Sequence, residues 1–347
     1  MDIAPTRPGE LEEVTAFLAN AFGVTAASPF LDRRLMSWKY FQPRPGFPGS
    51  RSFLARRDGK IAAHVGLWPV AWTSVSGSPV TGQHLIDWGA SKEVSGAGTA
   101  LYRDILSSAG TAVVIGGATI ARRLLPGLGF RRAGKLDLYA RVVRPWRQLR
   151  ARPARGWKDA ARFARNTVWS LSPLLARKPD LTALPASEAP ADVEELISQR
   201  TASGGVLPVR SRELFAYIEA CPGADCRTFV LRRSGSPTGY FVLARAGPQT
   251  RIADLWVSWT HPEEWASAVA LATQTAADDL RVAEVVAPDA RGVLREALWA
   301  NGYRLRAEKP LYFHDPDGRL GPPEAVSVTL LESDGFFLCD PTHPFLT

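Results

Sequence analysis

One order of helix and strand signals is written twice in this chain of 347 residues, on either side of a strongly basic stretch. Such a repeat constrains the fold more than any single motif, because each copy needs its own strands and its own covering helices. In the first copy, Pro8 and Gly9 precede an apolar stripe at Leu11, Val14, Phe17, Leu18 and Phe22, the spacing of an amphipathic helix. A second helical stretch covers Phe30 to Phe41. The period then falls to two. Ser52 to Ala55 and Ile61 to Val65 flank Asp58-Gly59, a hairpin signal because glycine supplies the positive φ that the turn needs. Val70 to Val75 and Val80 to Trp88 read as two further strands about a turn at Ser76-Gly77-Ser78. Next come Gly96-Ala97-Gly98, a helix from Thr99 to Ser108 and the apolar strand Ala112 to Ile115. A helix from Ile120 to Leu125 ends at Pro126-Gly127, and Leu136 to Val143 reads as a strand.

The second copy follows the same order. Helices are expected over Ala191 to Arg200 and Ser211 to Cys221, then strands over Thr228 to Arg232, Gly239 to Ala246 and Ile252 to Val257. A long helix from Pro262 to Asp279, a strand from Val282 to Val286 and a helix from Arg291 to Ala300 lead to Gly302-Tyr303 and a last strand at Pro310 to Phe313. The closing segment, Val326 to Thr347, carries no pattern that assigns it a role. The expected fold class is α/β with mixed sheet, in two tandem domains: residues 1–145, a basic amphipathic linker at 146–179, and residues 180–347. The length agrees, since one core seldom serves far more than about 150 residues.

The formal net charge of +8 belongs to the connector. Between Arg141 and Lys178 the eleven basic residues and the lone Asp159 sum to +10, leaving −2 for the rest of the chain. Within it, Trp157, Ala160, Ala161, Ala164, Val168, Leu171 and Leu175 fall on one helical face, with Lys158, Arg162 and Arg165 off it. Such a helix suits an anionic membrane surface, an RNA backbone such as that of tRNA, or a linker docked on its neighbours with a solvated cationic face. The N-terminus lacks a basic region followed by an apolar run, and no stretch approaches the roughly 20 apolar residues of a membrane span. Three cysteines (Cys221, Cys226, Cys339) without paired spacing and five scattered histidines suggest a reduced, metal-free, cytoplasmic protein.

The stretch richest in chemistry runs from Leu85 to Leu101: a strand, a glycine-bearing turn and a helix start. Successive amides in such a turn point outwards, and the helix N-terminus adds partial positive charge, which together suit a pyrophosphate. The stretch resembles the GNAT superfamily of acyl-CoA-dependent N-acyltransferases, whose fourth strand enters a loop of the form Q/R-x-x-G-x-G/A that holds the pyrophosphate of acetyl-CoA. Here the loop would be Glu93-Val94-Ser95-Gly96-Ala97-Gly98, with both glycines matched and an acid at the first position. Leu128-Gly129-Phe130 matches the turn that closes the helix after the family's fifth strand, as does Ala121 within that helix. The family's asparagine and its proton-donating tyrosine fall on Ala118 and Leu125, so that donor has no obvious occupant. Trp38-Lys39-Tyr40 before a Pro/Gly loop also looks like the opening of GNAT proteins of envelope chemistry, while Trp38 and Tyr40 read equally well as core aromatics. The second half is similar in element order, but its loop reads Ser258-Trp259-Thr260-His261-Pro262-Glu263-Glu264, without glycine and with two acids.

The resemblance implies two tandem GNAT-like domains, acetyl-CoA or another acyl-CoA as cosubstrate, and a loop of Gly89, Ala90, Ser91, Val94, Ser95, Gly96, Ala97, Gly98 and Thr99 holding it. It implies direct acyl transfer to an amine of a small molecule, sugar, natural product or envelope precursor. Direct transfer needs a base near the nitrogen and a backbone N–H for the developing oxyanion, here near Gly89 or Ala90. Asp87 is the first candidate base and His84 the second. Three apart on a strand, they are expected on opposite faces, so that one alone faces the cleft. Tyr102 and Tyr139 are candidate proton donors. Two other readings keep the tandem fold: a Fem-type aminoacyltransferase taking its acyl group from aminoacyl-tRNA, and a non-catalytic binding or scaffold protein.

Overall fold

A computed structural model describes the chain apart from residues 48, 75–78, 152–155, 173–180, 259–260, 341–342 and 346–347. The turn expected at Ser76-Gly77-Ser78 lies outside the described residues, as do Arg152, Arg155, Leu175, Arg177, Lys178, Trp259 and Thr260. The first half comprises β1 (Asp2–Pro5), α1 (Leu11–Phe22), α2 (Arg33–Tyr40), β2 (Ser52–Arg57), β3 (Lys60–Trp72), β4 (Val80–Ala90), α3 (Ala97–Ala109), β5 (Thr111–Ile115), α4 (Thr119–Leu124) and β6 (Arg131–Val142). The connector holds α5 (Pro145–Arg150) and α6 (Trp157–Ser170). The second half comprises β7 (Leu181–Pro185), α7 (Pro190–Ala202), α8 (Arg212–Glu219), β8 (Asp225–Arg233), β9 (Ser236–Ala246), β10 (Gln249–Val257), α9 (Pro262–Asp278), β11 (Glu284–Asp289), α10 (Arg295–Ala300) and β12 (Arg304–His314). The short edge strands β1 and β7 had no counterpart in the sequence pattern. Two antiparallel hairpin turns each use two residues of positive φ: Asp58 and Gly59 between β2 and β3, Ser234 and Gly235 between β8 and β9.

The twelve strands form one mixed sheet in the order β1-β2-β3-β4-β5-β12-β6-β11-β10-β9-β8-β7. The two halves trade their last strands. β12 lies antiparallel beside β5 (Leu311 opposite Ile115, Phe313 opposite Val113), and β6 lies antiparallel beside β11 (Val285 opposite Arg141). The exchanged strands also pair with each other. The connector therefore joins two halves that already share a sheet.

The sequence pattern suggested separate strands at Ile61 to Val65 and Val70 to Val75, but β3 is continuous through Pro69. β2 stops pairing with β3 at Gly66, so Pro69 lies on a free edge where its missing N–H breaks no ladder bond. A core of aromatic residues spans both halves. Trp38 stacks on Tyr217 with ring centres 4.7 Å apart and donates its Nε1–H to the Tyr217 carbonyl. Trp68 and Trp72 donate theirs to the carbonyls of Leu331 and Ser327. Trp38 is thus a core aromatic.

α6 does not take the orientation of a linker docked by its apolar face. Its inward side is polar: buried Asn166 donates to Gln148 Oε1 at 2.6 Å, and Gln148 Nε2 donates to Glu284 at 2.6 Å. The apolar face that a docked linker would bury points to solvent instead, with Trp157, Val168 and Leu171 exposed.

Candidate active site

β4 and β5 run parallel and pair over three positions only, Gly82 with Thr111, Gln83 with Ala112 and His84 with Val113. Beyond them β5 belongs to β12, while β4 continues to Ala90 with only β3 beside it. The sheet therefore opens into a split, and among the described residues the β5-facing edge of Leu85 to Ala90 has no strand partner. His84 closes the base of this split. Its Nδ1–H donates to the Val113 carbonyl at 2.9 Å, and burial pushes its pKa down to about 4. It is a neutral clamp between the strands where they part.

At the mouth of the split the chain turns through Ser91 to Ser95 into α3. Gly96 caps the helix in the left-handed region (φ 79°), open on its Cβ side. Ala97 N–H donates to Val94 O, Ala100 N–H makes the first i→i−4 bond to Gly96 O, and Ser91 N–H is held by Ala62 O. The first-turn amides of Gly98 and Thr99 precede that first helical bond and are available to an anion. Gly98 is required by space: a Cβ there would lie 3.0 Å from both the Ala90 Cβ and Trp88 Nε1. Glu93 is exposed. A cleft of about 700 Å³ borders Ala90 to Val94 and is lined by the cations Arg57, Lys60 and Lys92 and the acids Asp58 and Glu93. Gly89 packs against α1, since a Cβ would meet Ala21 and Leu18. The open edge, the glycine-shaped turn and the free amides fit an extended amide-bearing arm ending in a pyrophosphate, as in acyl-CoA.

Asp87 sits at a β-bulge: Asp87 and Trp88 together oppose Val65 of β3, and Asp87 has φ 49°. The bulge overturns the expectation that His84 and Asp87 lie on opposite faces. It breaks the alternation, so Asp87 faces α2, the side occupied by His84 and its neighbour Trp68. Its carboxylate is buried and accepts from Lys39 Nζ and from Tyr40 OH, both at 2.6 Å. Burial alone would raise its pKa, but the Lys39 charge and the two hydrogen bonds outweigh it and hold the carboxyl below its usual range. His64, pushed down to about 4 by burial, donates Nδ1–H to the Asp87 carbonyl at 2.9 Å and accepts from Ser52 Oγ at 2.9 Å. The strained bulge is thus fixed from both sides.

Asp87 also lines a cavity of about 800 Å³ walled by the α1–α2 loop (Phe22 to Phe30), Arg251 of β10 and the C-terminal tail, including Asp334, Leu338, Cys339 and Phe345. Buried Arg251 pins the tail by donating to the carbonyls of Gly335 (2.9 Å) and Leu338. Asp334 and Asp340 are the other acids of this cavity, and of these Asp334 is the buried one. Burial first, and repulsion from Asp87 next, push its carboxyl up to about 7. Lys39, Tyr40, His64, Arg251 and Asp334 were not singled out from the sequence as site residues. Lys39 and Tyr40 lay within a noticed tripeptide, whereas Asp334 sits in a 3₁₀ turn without periodicity.

The two tyrosines lie elsewhere. Tyr102 is buried on α3 between Trp88 and Phe130, and burial raises its hydroxyl pKa. Tyr139 lies on β6 in the core of the second half, where burial and then Asp137 raise its pKa. Neither is brought to Asp87. At α4 the expected tyrosine position, Leu125, is buried, and Leu128-Gly129-Phe130 closes the following turn with Gly129 at φ 81°. In the second half β10 splits from β11 in the same way after three pairs, and Glu263 and Glu264 lie in the first turn of α9. Among the described residues no group of three or more His, Cys, Asp or Glu side chains gathers to hold a metal ion, and no helix is long and apolar enough to cross a membrane.

No protein-family model matches the chain, and no curated protein matches it in sequence. Solved structures do share the architecture. A GCN5-related N-acetyltransferase from Anabaena variabilis superposes with a TM-score of 0.59 at 13% identity, covering 90% of this chain and 72% of that one. N-myristoyltransferase from Saccharomyces cerevisiae, solved with myristoyl-CoA bound, gives 0.60 at 12% identity over 94% and 84%. A GCN5-related N-acetyltransferase from Kribbella flavida gives 0.55 at 14% over 90% and 70%. The chain has the tandem GNAT fold.

Proposed function

We propose that the protein is an acyl-CoA-dependent N-acyltransferase that passes an acetyl or other acyl group directly to an amine of a small molecule, sugar, natural product or envelope precursor. One observation carries the reading: Asp87 stands where two spaces meet. The unpaired edge of its own strand lines the split that ends at the free amides of α3, and its side chain lines the cavity shared with Asp334. The likeness to acyltransferase folds supports the same conclusion without fixing the acceptor.

Ser95 to Thr99 would hold the pyrophosphate and the edge of Leu85 to Ala90 the amide-bearing arm. When bound, acyl-CoA supplies a thioester whose carbon–sulfur bond is exchanged for a carbon–nitrogen bond, the thiolate leaving and taking a proton from solvent. Of the two buried acids of the cavity, Asp87 is committed to Lys39 and Tyr40 and is a weak base. Asp334, titrating near neutrality, is the group suited to take the proton from the amine. Asp87 then keeps Asp334 basic by repulsion and orients Tyr40.

Calorimetric titration of acetyl-CoA into wild type and Gly98→Val tests the donor. Micromolar binding that weakens at least tenfold in the variant is the expected result. Absence of binding to acetyl-CoA and to longer acyl-CoA species refutes the proposal, and retention of aminoacyl-tRNA in its place would assign the donor to tRNA.

A further inference from the structure

α6 is amphipathic, but inverted relative to a packed helix. At 3.6 residues per turn, Trp157, Ala160, Ala161, Ala164, Val168 and Leu171 fall within about 100° of the circumference. They project away from the side that meets the protein through Asn166, Asp159 and Phe163. Trp157 is 78% exposed, Val168 66% and Leu171 77%, although a helix in a globular fold ordinarily buries such residues. Arg165 borders the stripe on one side, Arg162 lies farther round the same side against Asp159, and exposed Arg147 and Arg150 stand on the adjoining α5 beside half-exposed Trp146. The connector from Arg141 to Lys178 sums to +10 against −2 for the rest of the chain, and Arg147, Arg150, Arg162 and Arg165 are its exposed cations on this face.

We infer that the α5–α6 hairpin seats the protein on an anionic lipid bilayer, with the outward stripe of α6 at the headgroup–acyl boundary and the arginines on the phosphates. A bilayer surface is the partner that satisfies both features together. An RNA backbone would engage the arginines but leave Val168 and Leu171 in water. A second copy packed stripe to stripe about a two-fold axis would bring the cationic flanks towards each other. The inference stands on the connector alone and goes beyond the acyltransfer reading.

The test is co-sedimentation of the full chain with vesicles of phosphatidylcholine alone and of equimolar phosphatidylcholine and phosphatidylglycerol. Wild type is expected to pellet with the anionic vesicles, at least tenfold more weakly with neutral ones, and less as salt rises. Trp157→Ser/Val168→Ser/Leu171→Ser, which touches only exposed groups, should lower the partition coefficient more than tenfold with an unchanged circular-dichroism melt. Arg147→Gln/Arg150→Gln should remove much of the salt dependence. The inference fails if wild type stays in the supernatant with anionic vesicles, or if the triple variant binds as wild type does. It also fails if sedimentation equilibrium shows a dimer that the triple variant dissolves, or if bulk tRNA binds equally to both.

Discussion

Replacing Lys39 by methionine, which nearly keeps the volume, would remove the charge that makes a buried Asp87 tolerable. The two groups meet at 2.6 Å with side chains 1% and 7% exposed. At an effective dielectric constant of about 20, the attraction at that distance is about 6 kcal/mol, much of it spent on desolvating both ions. Breaking such a pair leaves an uncompensated charge, so K39M should lose about 3–5 kcal/mol at pH 7. The pH dependence has a defined sign. In the wild type the Asp87 pKa is held below its unfolded value, so the pair contributes stability above about pH 4 and loses it as pH falls through the folded pKa. In K39M burial acts on Asp87 with only Tyr40 opposing it, the folded pKa moves above the unfolded one, and the variant regains stability as acid protonates the carboxyl. The two proteins should therefore differ most above neutrality and converge at low pH. Urea unfolding followed by tryptophan fluorescence at neutral and acidic pH measures this. K39M/D87N, in which asparagine also accepts the left-handed backbone, should recover most of the loss. A deficit of K39M below about 1 kcal/mol, or one that does not change with pH, would refute the argument that this ion pair neutralises the bulge.

Other outcomes follow from the same geometry. If Asp334 is the base, wild-type kcat/KM should rise with pH through about 7, and D334N should lose both that limb and about 10²–10⁴ in rate. Because the folded pKa of Asp334 lies above its unfolded value, ionising it opposes folding increasingly between about pH 4 and 7. D334N should therefore be more stable than wild type above neutrality, which urea midpoints at pH 8 will show. W38A removes a buried ring that contacts Trp68, Tyr217, Phe336 and Phe337, and should cost about 3–5 kcal/mol by the same assay. G239A would place a Cβ 2.5 Å from the Trp256 carbonyl oxygen and 2.8 Å from Val257 Cγ1, so it should destabilise the β9–β10 pair by about 1–3 kcal/mol. Slow hydrogen exchange of those strands in G239A, equal to wild type, would contradict it.

What the sequence made legible was local. Asp58-Gly59, the run from Leu85 through Gly96 into α3, and the order of elements in both halves are short-range patterns set by steric and periodic rules. Three features were beyond those rules. A strand pattern gives faces but not partners, so nothing in Pro310 to Phe313 says that these residues will pair with Ala112 to Ile115. Alternation places Asp87 opposite His84 unless a bulge intervenes, and the bulge here is stabilised by Lys39, Tyr40 and His64, which lie far off in sequence. In α6 the sequence pattern gives the period but leaves the direction of the apolar face open. The periodicity of an amphipathic helix identifies its apolar face without saying what that face meets, and the polar side was claimed by Gln148 and Glu284.

The strand exchange and the composition of the cavity have a common consequence. Asp87 and the α1–α2 loop belong to the first half, whereas Arg251, Asp334 and the tail that Arg251 pins belong to the second. β5, which forms one wall of the split, is held on its other side by β12. Each half also carries a bulged fourth strand with a buried acid neutralised by a neighbouring cation: Asp87 with Lys39, and Asp254, just after the bulge at Ala253, with Arg210 at 2.6 Å. Only the first keeps the glycine turn at its split. The second spends its arginine differently, since Arg210 also binds Glu332 at 2.7 Å, two residues before Asp334. The acid of the second half thus anchors, through Arg210 and Glu332, the segment that carries Asp334, the proton acceptor proposed above. The cavity beside Asp87 is therefore walled by both halves, and the exchange of β6 and β12 ties the second half to the strand that borders the split.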